Sequence, residues 1–563
     1  MAADGSGSVR RGRARALTTP GGLFLAAVLL MSVIPVTSAV RDPDFWWHLR
    51  AGQLILDQHG LLGTDPFTYT VSDHHWVMHE WLTEVLFAGL HRAGGLGLIV
   101  ITLSAVTMAG IACIALRARL PLPALGHDDP PGGRRVGPVP IGVGILLAVI
   151  AGYPIWGPRA QMETFALTCL TLYLVERHLR LGGRALWALV PIFAIWGNLH
   201  SGFTIGAGFM GVVLMTEVVA RRFNWSGRAP RERVRTLGLV LAACLAMIVL
   251  NPNGPQIYLY AFQTQFSPAQ QELIQEWHSP DFHDVVVGAF ALMVLSLAVM
   301  VAVTRQVRPR DAALALLTIA MALQSVRHIA LFIAATTPLW IEQLDAVARL
   351  RPRQPRSASA GPARRPEPPT FFRVGVVAIA LVLPLPFVAA KVAAAAQTRE
   401  DSSFYATDFP VCAARWLNAA PAGLRVFNQY GEGGYLALRI TPAGDRIFIF
   451  GDAALMGDAL LLRYGSVEGI SSAWNGVMTQ AGTDIVVFDV ATPLATLLSQ
   501  SPRWVEVYHD DHNAAFVPAT QRGDALRARL PQAGAARGSD GVCGSSVTTA
   551  VGPAATVAAR TLP

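Results

Sequence analysis

Charge is scarce in this chain: of 563 residues only 15% are Asp, Glu, Lys or Arg, against 52% hydrophobic. The mean hydropathy is +0.41. That balance excludes an ordinary soluble enzyme and leaves room for many membrane spans plus a separate domain. Cysteine is also rare. Cys113, Cys169, Cys244, Cys412 and Cys543 lie far apart with no CxxC pair, which suggests neither a zinc site nor a disulfide framework; one bridge between Cys412 and Cys543 stays open. No Walker sequence and no G-x-G-x-x-G fingerprint occurs, so no nucleotide-binding loop can be read. Lysine is all but missing, with Lys391 the single example.

The basic charge that is present, all but one of it arginine, has a definite place. From residue 392 onward 12 Arg face 15 Asp plus Glu, whereas the first 391 residues hold 33 basic and 22 acidic side chains. The excess belongs to the apolar part and points to topology rather than to nucleic acid. Apolar segments that span, or nearly span, a bilayer (~20 residues each) are expected at 20–40, 94–116, 139–156, 161–177, 184–198, 203–220, 236–251, 285–304, 311–325, 328–346 and 371–391. With these eleven spans, "RRGRAR", "LRARL" with "GGRR", "ERHLRLGGR", "ARRFNWSGRAPRERVR", "RQVRPR" and "RLRPRQPRSASAGPARR" all fall on one side. The positive-inside rule makes that side the cytoplasm, with an uncleaved signal anchor at the amino terminus and everything after 391 outside.

Residues capable of chemistry then gather on the opposite face, in "RDPDFWWHL…DHHWVMHEW", "WGPRAQ", "NLHSGF", "NPNGPQ…QEWHSPDFHD" and "SVRH". Asp42 before Pro43 suits a helix start, and the following amphipathic stretch is expected to lie along the membrane interface, with Trp46 and Trp47 in the aromatic belt. Capping explains Asp42 well and Asp44 less well. Asp44, one turn before His48, places a carboxylate near an imidazole, a pairing that serves base catalysis or polar-ligand binding. His75 and His79, at i and i+4 of an expected helix and followed by Glu80 and Trp81, carry a weak metal signal without a third ligand fixed by spacing. Arg159, His200, Arg327 and His328 sit at outer span ends. An arginine near membrane depth serves an anionic ligand or pairs with a nearby carboxylate such as Glu163. "QEWHSPDFHD" reads either as a lid over the cavity or as a solvated connection, the latter slightly favoured.

The chain divides into a basic amino terminus (1–19), a transmembrane domain (20–350) with outer loop 41–93, and a Pro- and Arg-rich cytoplasmic linker (351–370). The last transmembrane helix (371–391), an extracytoplasmic α/β domain (392–520) and a disordered tail (521–563) complete it. In the α/β domain "RVFNQYGEGGYLALRI", "RIFIFGD", "DIVVFDV" and "WVEVYHDDHNAAFVPA" read as strands, with "PLATLLSQ" a helix. Asp452, Asp458, Asp510 and Asp511 read as solvated loop carboxylates rather than cation ligands. The fold class is mainly α: a polytopic helix bundle followed by a small α/β domain.

The order "DPDFWWHLRAGQLIL", "DPFTYT", "HEWL", "GPRAQ", "WGNLHSGF", "RHIALF", "GGYLALRI" resembles a group of bacterial multi-pass membrane proteins placed with the GT-C type glycosyltransferases, over roughly residues 20–518. The resemblance implies a polyprenyl-phosphate-linked sugar as donor, a lipid, glycan or protein as acceptor, and a site at the outer face of the inner membrane. In GT-C enzymes such as protein O-mannosyltransferases and lipid A aminoarabinose transferases, acidic residues of the first outer loop serve the acceptor or a metal; by position these are Asp42 and Asp44. A divalent cation therefore stays open as the one cofactor, with no metal ligand assigned. Arginines that meet the donor phosphate correspond loosely to Arg159 and Arg327. Here Asp-Pro-Asp stands where the mannosyltransferases have adjacent Asp-Glu. Asp44 first and Asp42 second are thus the expected catalytic carboxylates, with Trp46, Trp47, His48, His79, Glu80, Trp81, Arg159, His200, Arg327 and His328 as substrate contacts. The alternatives are a non-catalytic scaffold or polysaccharide-assembly partner binding through its outer domain and, last, a transporter, which the few mid-span charges and missing internal repeat disfavour.

Overall fold

Pro20, Pro138 and Pro309 each open a helix where an apolar stretch begins, positions at which the missing N–H loses no helical bond. In the computed structural model, which describes residues 19–122, 134–350, 382–536 and 540–543, a helix stands at each of the eleven expected positions. These are Pro20–Met31, Trp81–Ala118, Pro138–Ala151, Gln161–Leu181, Leu189–Leu199, Phe203–Arg222, Arg231–Ile248, Gly288–Thr304, Pro309–Gln324, Ile329–Leu350 and Leu385–Ala396. By length and composition three helical segments among the described residues can cross a membrane: Trp81–Ala118, Phe203–Arg222 and Val285–Thr304. The eleven-fold pattern is therefore one of helices, many shorter than a full span. The linker 351–370 and the first part of the expected last span lie outside the described residues.

The chain separates into two compact units. The first takes residues up to 40, 97–258 and 274–397 and holds nearly all these helices. Its cores gather Phe165, Phe290, Phe332 and Trp340 in one cluster and Phe193, Trp196, Phe203 and Phe209 in another. Leu292, Leu295, Val299 and Val303 form an apolar stripe on Gly288–Thr304 that is more than half exposed. A helix in water would show polar residues there, so this stripe is suited to lipid.

The ends of these helices sort into two sets, each joined by side-chain contacts. At the arginine-rich end Arg310 grips Glu176 with two nitrogens (3.0 and 2.8 Å) and reaches Glu217 at 2.6 Å. Arg180 pairs with Glu176 and with Glu342. Arg308 joins Asp311 and Glu342, and Arg117 approaches Asp311 at 3.4 Å. Five helix ends are thereby tied together by buried charges. Sequence reading used the arginines of this face for topology and did not pair them with the four carboxylates that match them. Arg117 has a second duty. Pro338 interrupts Ile329–Leu350 and supplies no N–H for the carbonyl four residues earlier; Arg117 donates to that Ala334 oxygen at 3.5 Å and to Ala335 at 3.1 Å. At the opposite ends Thr164 meets His200, Asn198 meets Asn251, and Arg159 meets Glu276.

The second unit comprises 41–96, 259–273 and the chain from 398 onward. Its sheet has the order β2-β1-β3-β5-β4, with β1 Arg425–Asn428, β2 Arg446–Ile447, β3 Ile485–Asp489, β4 Trp504–His509 and β5 Asn513–Pro518. β2, β1 and β3 run parallel; β5 and β4 complete it antiparallel. The expected helix Pro493–Gln500 lies between β3 and β4. Two strand expectations shorten. "RVFNQYGEGGYLALRI" is a strand only to Asn428 and becomes a helix at Gly433–Arg439, where a Cβ on Gly434 would stand 2.3 Å from the Pro43 carbonyl. "RIFIFGD" pairs only at Arg446–Ile447; beyond it the Asn428 amide substitutes for the ladder, accepting from Phe448 N and donating to Ile449 O. The outer loop, read as part of the transmembrane domain, is built into this unit: Phe67–Tyr69 bonds along β2 through Ile447, and Thr70 donates to Phe448 O. The tail expected to be disordered from 521 begins with a helix, Gln521–Arg527, capped by Thr520. Cys543 forms the bridge to Cys412 that the sequence left open.

Candidate functional site

In the second unit the stretch Asp42–His48 starts a helix two residues later than its first aspartate. The helix runs Phe45–Gln58 with Asp44 in the cap position; Asp42 instead accepts the Asp44 N–H at 3.1 Å and turns the chain into it. The Asp44 carboxylate takes the Trp47 indole N–H at 3.3 Å and rests against Gly451, where a Cβ would fall 1.5 Å from Oδ1. The aromatic-belt expectation for Trp46 and Trp47 does not hold. Trp46 is fully buried, edge-on to Tyr405, Phe409 and Tyr435 at 5.2–5.3 Å, and Trp47 is 3% exposed and packs on Phe450. These rings form a protein core because the outer loop folds into a domain of its own rather than lying on lipid.

His48 stacks on Trp47 and lies between two carboxylates, Glu80 at 3.2 Å and Glu84 at 3.4 Å. His79 meets Glu80 at 2.9 Å and stacks on Tyr260 at 4.2 Å. Burial opposes the charged imidazole, but Glu80 and Glu84 outweigh it and push His48 up to about 9; burial is likewise overcome by Glu80 at His79, whose pKa is raised. At neutral pH His48 is a fixed cation between glutamates and not a base for a substrate. Both ring nitrogens face glutamates rather than the Asp44 carboxylate with which the imidazole was expected to pair. The helical His75/His79 pair is also corrected. The chain is irregular up to Glu80, His75 is exposed and bridges Thr64, and Trp81 opens the next helix. Among the described residues no group of three or more His, Cys, Asp or Glu could hold a metal ion.

In the first unit Arg159 and Arg327 converge on one anion. Arg159 Nη2 donates to Glu276 at 2.6 Å, and Arg327 Nε lies 4.0 Å from its other oxygen. Burial disfavours the Glu276 carboxylate, but the two guanidinium groups override this and hold its pKa at about 2. Arg327 also sits over Trp277 at 5.2 Å, and Trp277 meets His328 edge-on. His328 Nδ1 is 3.1 Å from Met321 O. His200 Nδ1 accepts the Gly202 N–H at 2.9 Å and lies 3.0 Å from Thr164 Oγ1, which leaves its proton on Nε2. The segment "QEWHSPDFHD", favoured as a solvated connection, thus supplies the carboxylate that both arginines use and the ring beneath Arg327.

Sequence reasoning missed Glu84, Tyr260 and the place of Asp452. Asp452 is 5% exposed, caps helix Ala453–Glu468 and takes the Trp76 indole N–H at 2.8 Å. Asp510, also buried, accepts from the His512 and Asn513 N–H groups, so Asp452 and Asp510 serve structural bonds rather than solvent; Asp458, which accepts from Ser267, and Asp511 are exposed as expected. Their signal was each residue's own place at a turn or helix start, not its long-range partner.

No family model and no curated protein matches the chain. Among solved structures it is similar to ArnT from Cupriavidus metallidurans bound to undecaprenyl phosphate, at 14% identity over 89% of this chain and 98% of that one, TM-score 0.48. It is also similar to the oligosaccharyltransferase AglB from Archaeoglobus fulgidus, in complex with an inhibitory peptide and a dolichol-phosphate (12% identity, 83% and 69%, TM-score 0.46). The arabinosyltransferase EmbB from Mycobacterium smegmatis matches at 13% over 86% of this chain and 45% of that chain, TM-score 0.35. These are GT-C type glycosyltransferases, the class that the motif order resembles. At such identities and scores none of them determines the chemistry of this chain.

Proposed function

We propose that this protein is an integral membrane glycosyltransferase that moves a sugar from a polyprenyl-phosphate-linked donor to an acceptor hydroxyl at the extracytoplasmic face of a bacterial plasma membrane. The observation that carries the donor half is the convergence of Arg159 and Arg327 on the single anion Glu276. Two planar donor forks that bracket a carboxylate suit a phosphate equally well and would stabilise the charge of a departing lipid phosphate. For the acceptor half we assign Asp44, which orients the attacking hydroxyl and takes its proton, with Asp42 shaping the turn that presents it. His48, held charged by Glu80 and Glu84, fixes the helix that carries Asp44. The bond from the anomeric carbon to the lipid phosphate breaks while the bond to the acceptor oxygen forms. The Cys412–Cys543 bridge fits an oxidising compartment for the second unit.

Two measurements on the purified full chain separate the halves. Undecaprenyl phosphate binding, read by native mass spectrometry, should weaken by roughly tenfold or more in R159A/R327A, the scale of losing charge-assisted bonds, and persist in D44N. Transfer, read as change in the host's envelope glycans or glycolipids, should fall about 10²–10⁴-fold in D44N. Full activity in D44N, or lipid binding indifferent to both arginines, sinks the assignment.

A further inference from the structure

The sheet of the second unit has a feature independent of Asp44. After β1 the chain crosses to β2 on one side, then returns through two helices to β3 on the other side of β1. Neighbouring parallel strands whose connections leave in opposite directions open a crevice beyond their carboxyl ends, the place where open α/β sheets take ligands. A cavity of about 530 Å³ lies there, lined by Gln429 and Glu432 after β1, Asp489 at the end of β3, and His512 before β5, with Arg41 and Asp408 beside them. That volume falls in the ordinary range for small-molecule sites.

Glu432 makes this more than a group of acids. It is 4% exposed. One carboxylate oxygen accepts from the Asn513 amide at 2.8 Å and lies 3.1 Å from His512 Nε2, while the other is buried with no hydrogen-bond partner. A buried carboxylate oxygen left unpaired is costly unless a donor arrives. The lining mixes donors (Arg41, His512, the Gln429 amide) with acceptors (Asp408, Glu432, Asp489). A hydroxyl both donates and accepts, so a polyhydroxylated ligand satisfies such a wall from every side, whereas an amine satisfies only the acids. We infer that this crevice is a saccharide-binding site, separate from the Asp44 site, in which Glu432 and Asp489 accept from sugar hydroxyls and Gln429 and His512 donate to them. The inference does not rest on the transferase assignment.

The test uses the full chain in detergent with methyl glycosides of glucose, mannose, galactose and arabinose as probes, and putrescine as the amine control, read by saturation-transfer NMR. At least one glycoside should bind, and its affinity should fall roughly tenfold or more in E432Q, as for loss of one bond to a charged group. Q429A and H512Q, on less buried side chains, should also weaken it and decide the matter if E432Q fails to fold. D44N should bind as wild type does. The inference is overturned if no glycoside binds, if binding survives in Q429A and H512Q proteins that melt like wild type, if putrescine alone binds, or if D44N abolishes the signal.

Discussion

Asp44 and His48, one helical turn apart, show how neighbours decide a residue's work. Asp44 is held by an indole N–H and by the bare face of Gly451; His48 is held by two glutamates. The folded His48 titrates near 9, above its unfolded value of about 6.5. A raised imidazole contributes stability that is fully present below about pH 6.5, declines as pH rises toward 9, and is gone above it. Thermal melts from pH 6 to 10 should therefore show a loss of stability across that window. In E80Q, which removes the strongest attraction, the loss should still begin near pH 6.5 but be smaller and end at lower pH; an unchanged profile would contradict the pairing. For Gly451 the expectation is steric. G451A places a Cβ on Asp44 Oδ1, so the carboxylate must move, and the variant should lose about 1–3 kcal/mol of stability together with transfer activity. A fully active G451A would show that Asp44 need not stay where it lies.

At the scale of elements, Arg117 and Pro338 form a single device. The proline leaves the Ala334 carbonyl without its helical donor, and the guanidinium from another helix supplies one while meeting Asp311. R117M should cost about 3–5 kcal/mol, because a buried partner is left behind. In a P338A background the helix regains an N–H, so the same substitution should cost about 1 kcal/mol less. Equal costs in both backgrounds, measured by denaturation in one detergent, would separate the two features. Helix positions of this kind were legible because apolar runs and arginine-bearing ends are local signals. The strands were less so: "RVFNQYGEGGYLALRI" looks continuous, yet Gly434 must let the Pro43 carbonyl come close and the segment turns helical. The carboxylates Glu176, Glu217, Asp311 and Glu342 were visible, but nothing local says that they meet. Of the site residues, the sequence brought forward Asp44, Arg159 and Arg327 and put Glu276 on the same face, but did not show that the two arginines share that carboxylate.

For the whole molecule, the decisive events join distant sequence: Trp76 bonds Asp452 across 376 positions and Thr70 bonds Phe448 across 378. No periodicity carries that information, which is why the first outer loop read as a membrane-surface appendage instead of part of the sheet-bearing unit. Its membership has a consequence for topology. If residues 41–96 and the chain from 398 build one unit, both must be on one side of the membrane, and an odd number of further spans cannot separate them. By the positive-inside rule the arginine-matched helix ends are expected at the cytoplasmic side. Alkaline phosphatase fused after Pro410 or Ala536 should be active and green fluorescent protein dark at the same points. Fused after Pro230, beside the arginine network, the reporters should exchange behaviour. Activity of the phosphatase at Pro230 would invert the membrane orientation and place Asp44 and the disulfide in the cytoplasm, where a stable Cys412–Cys543 bridge is not expected.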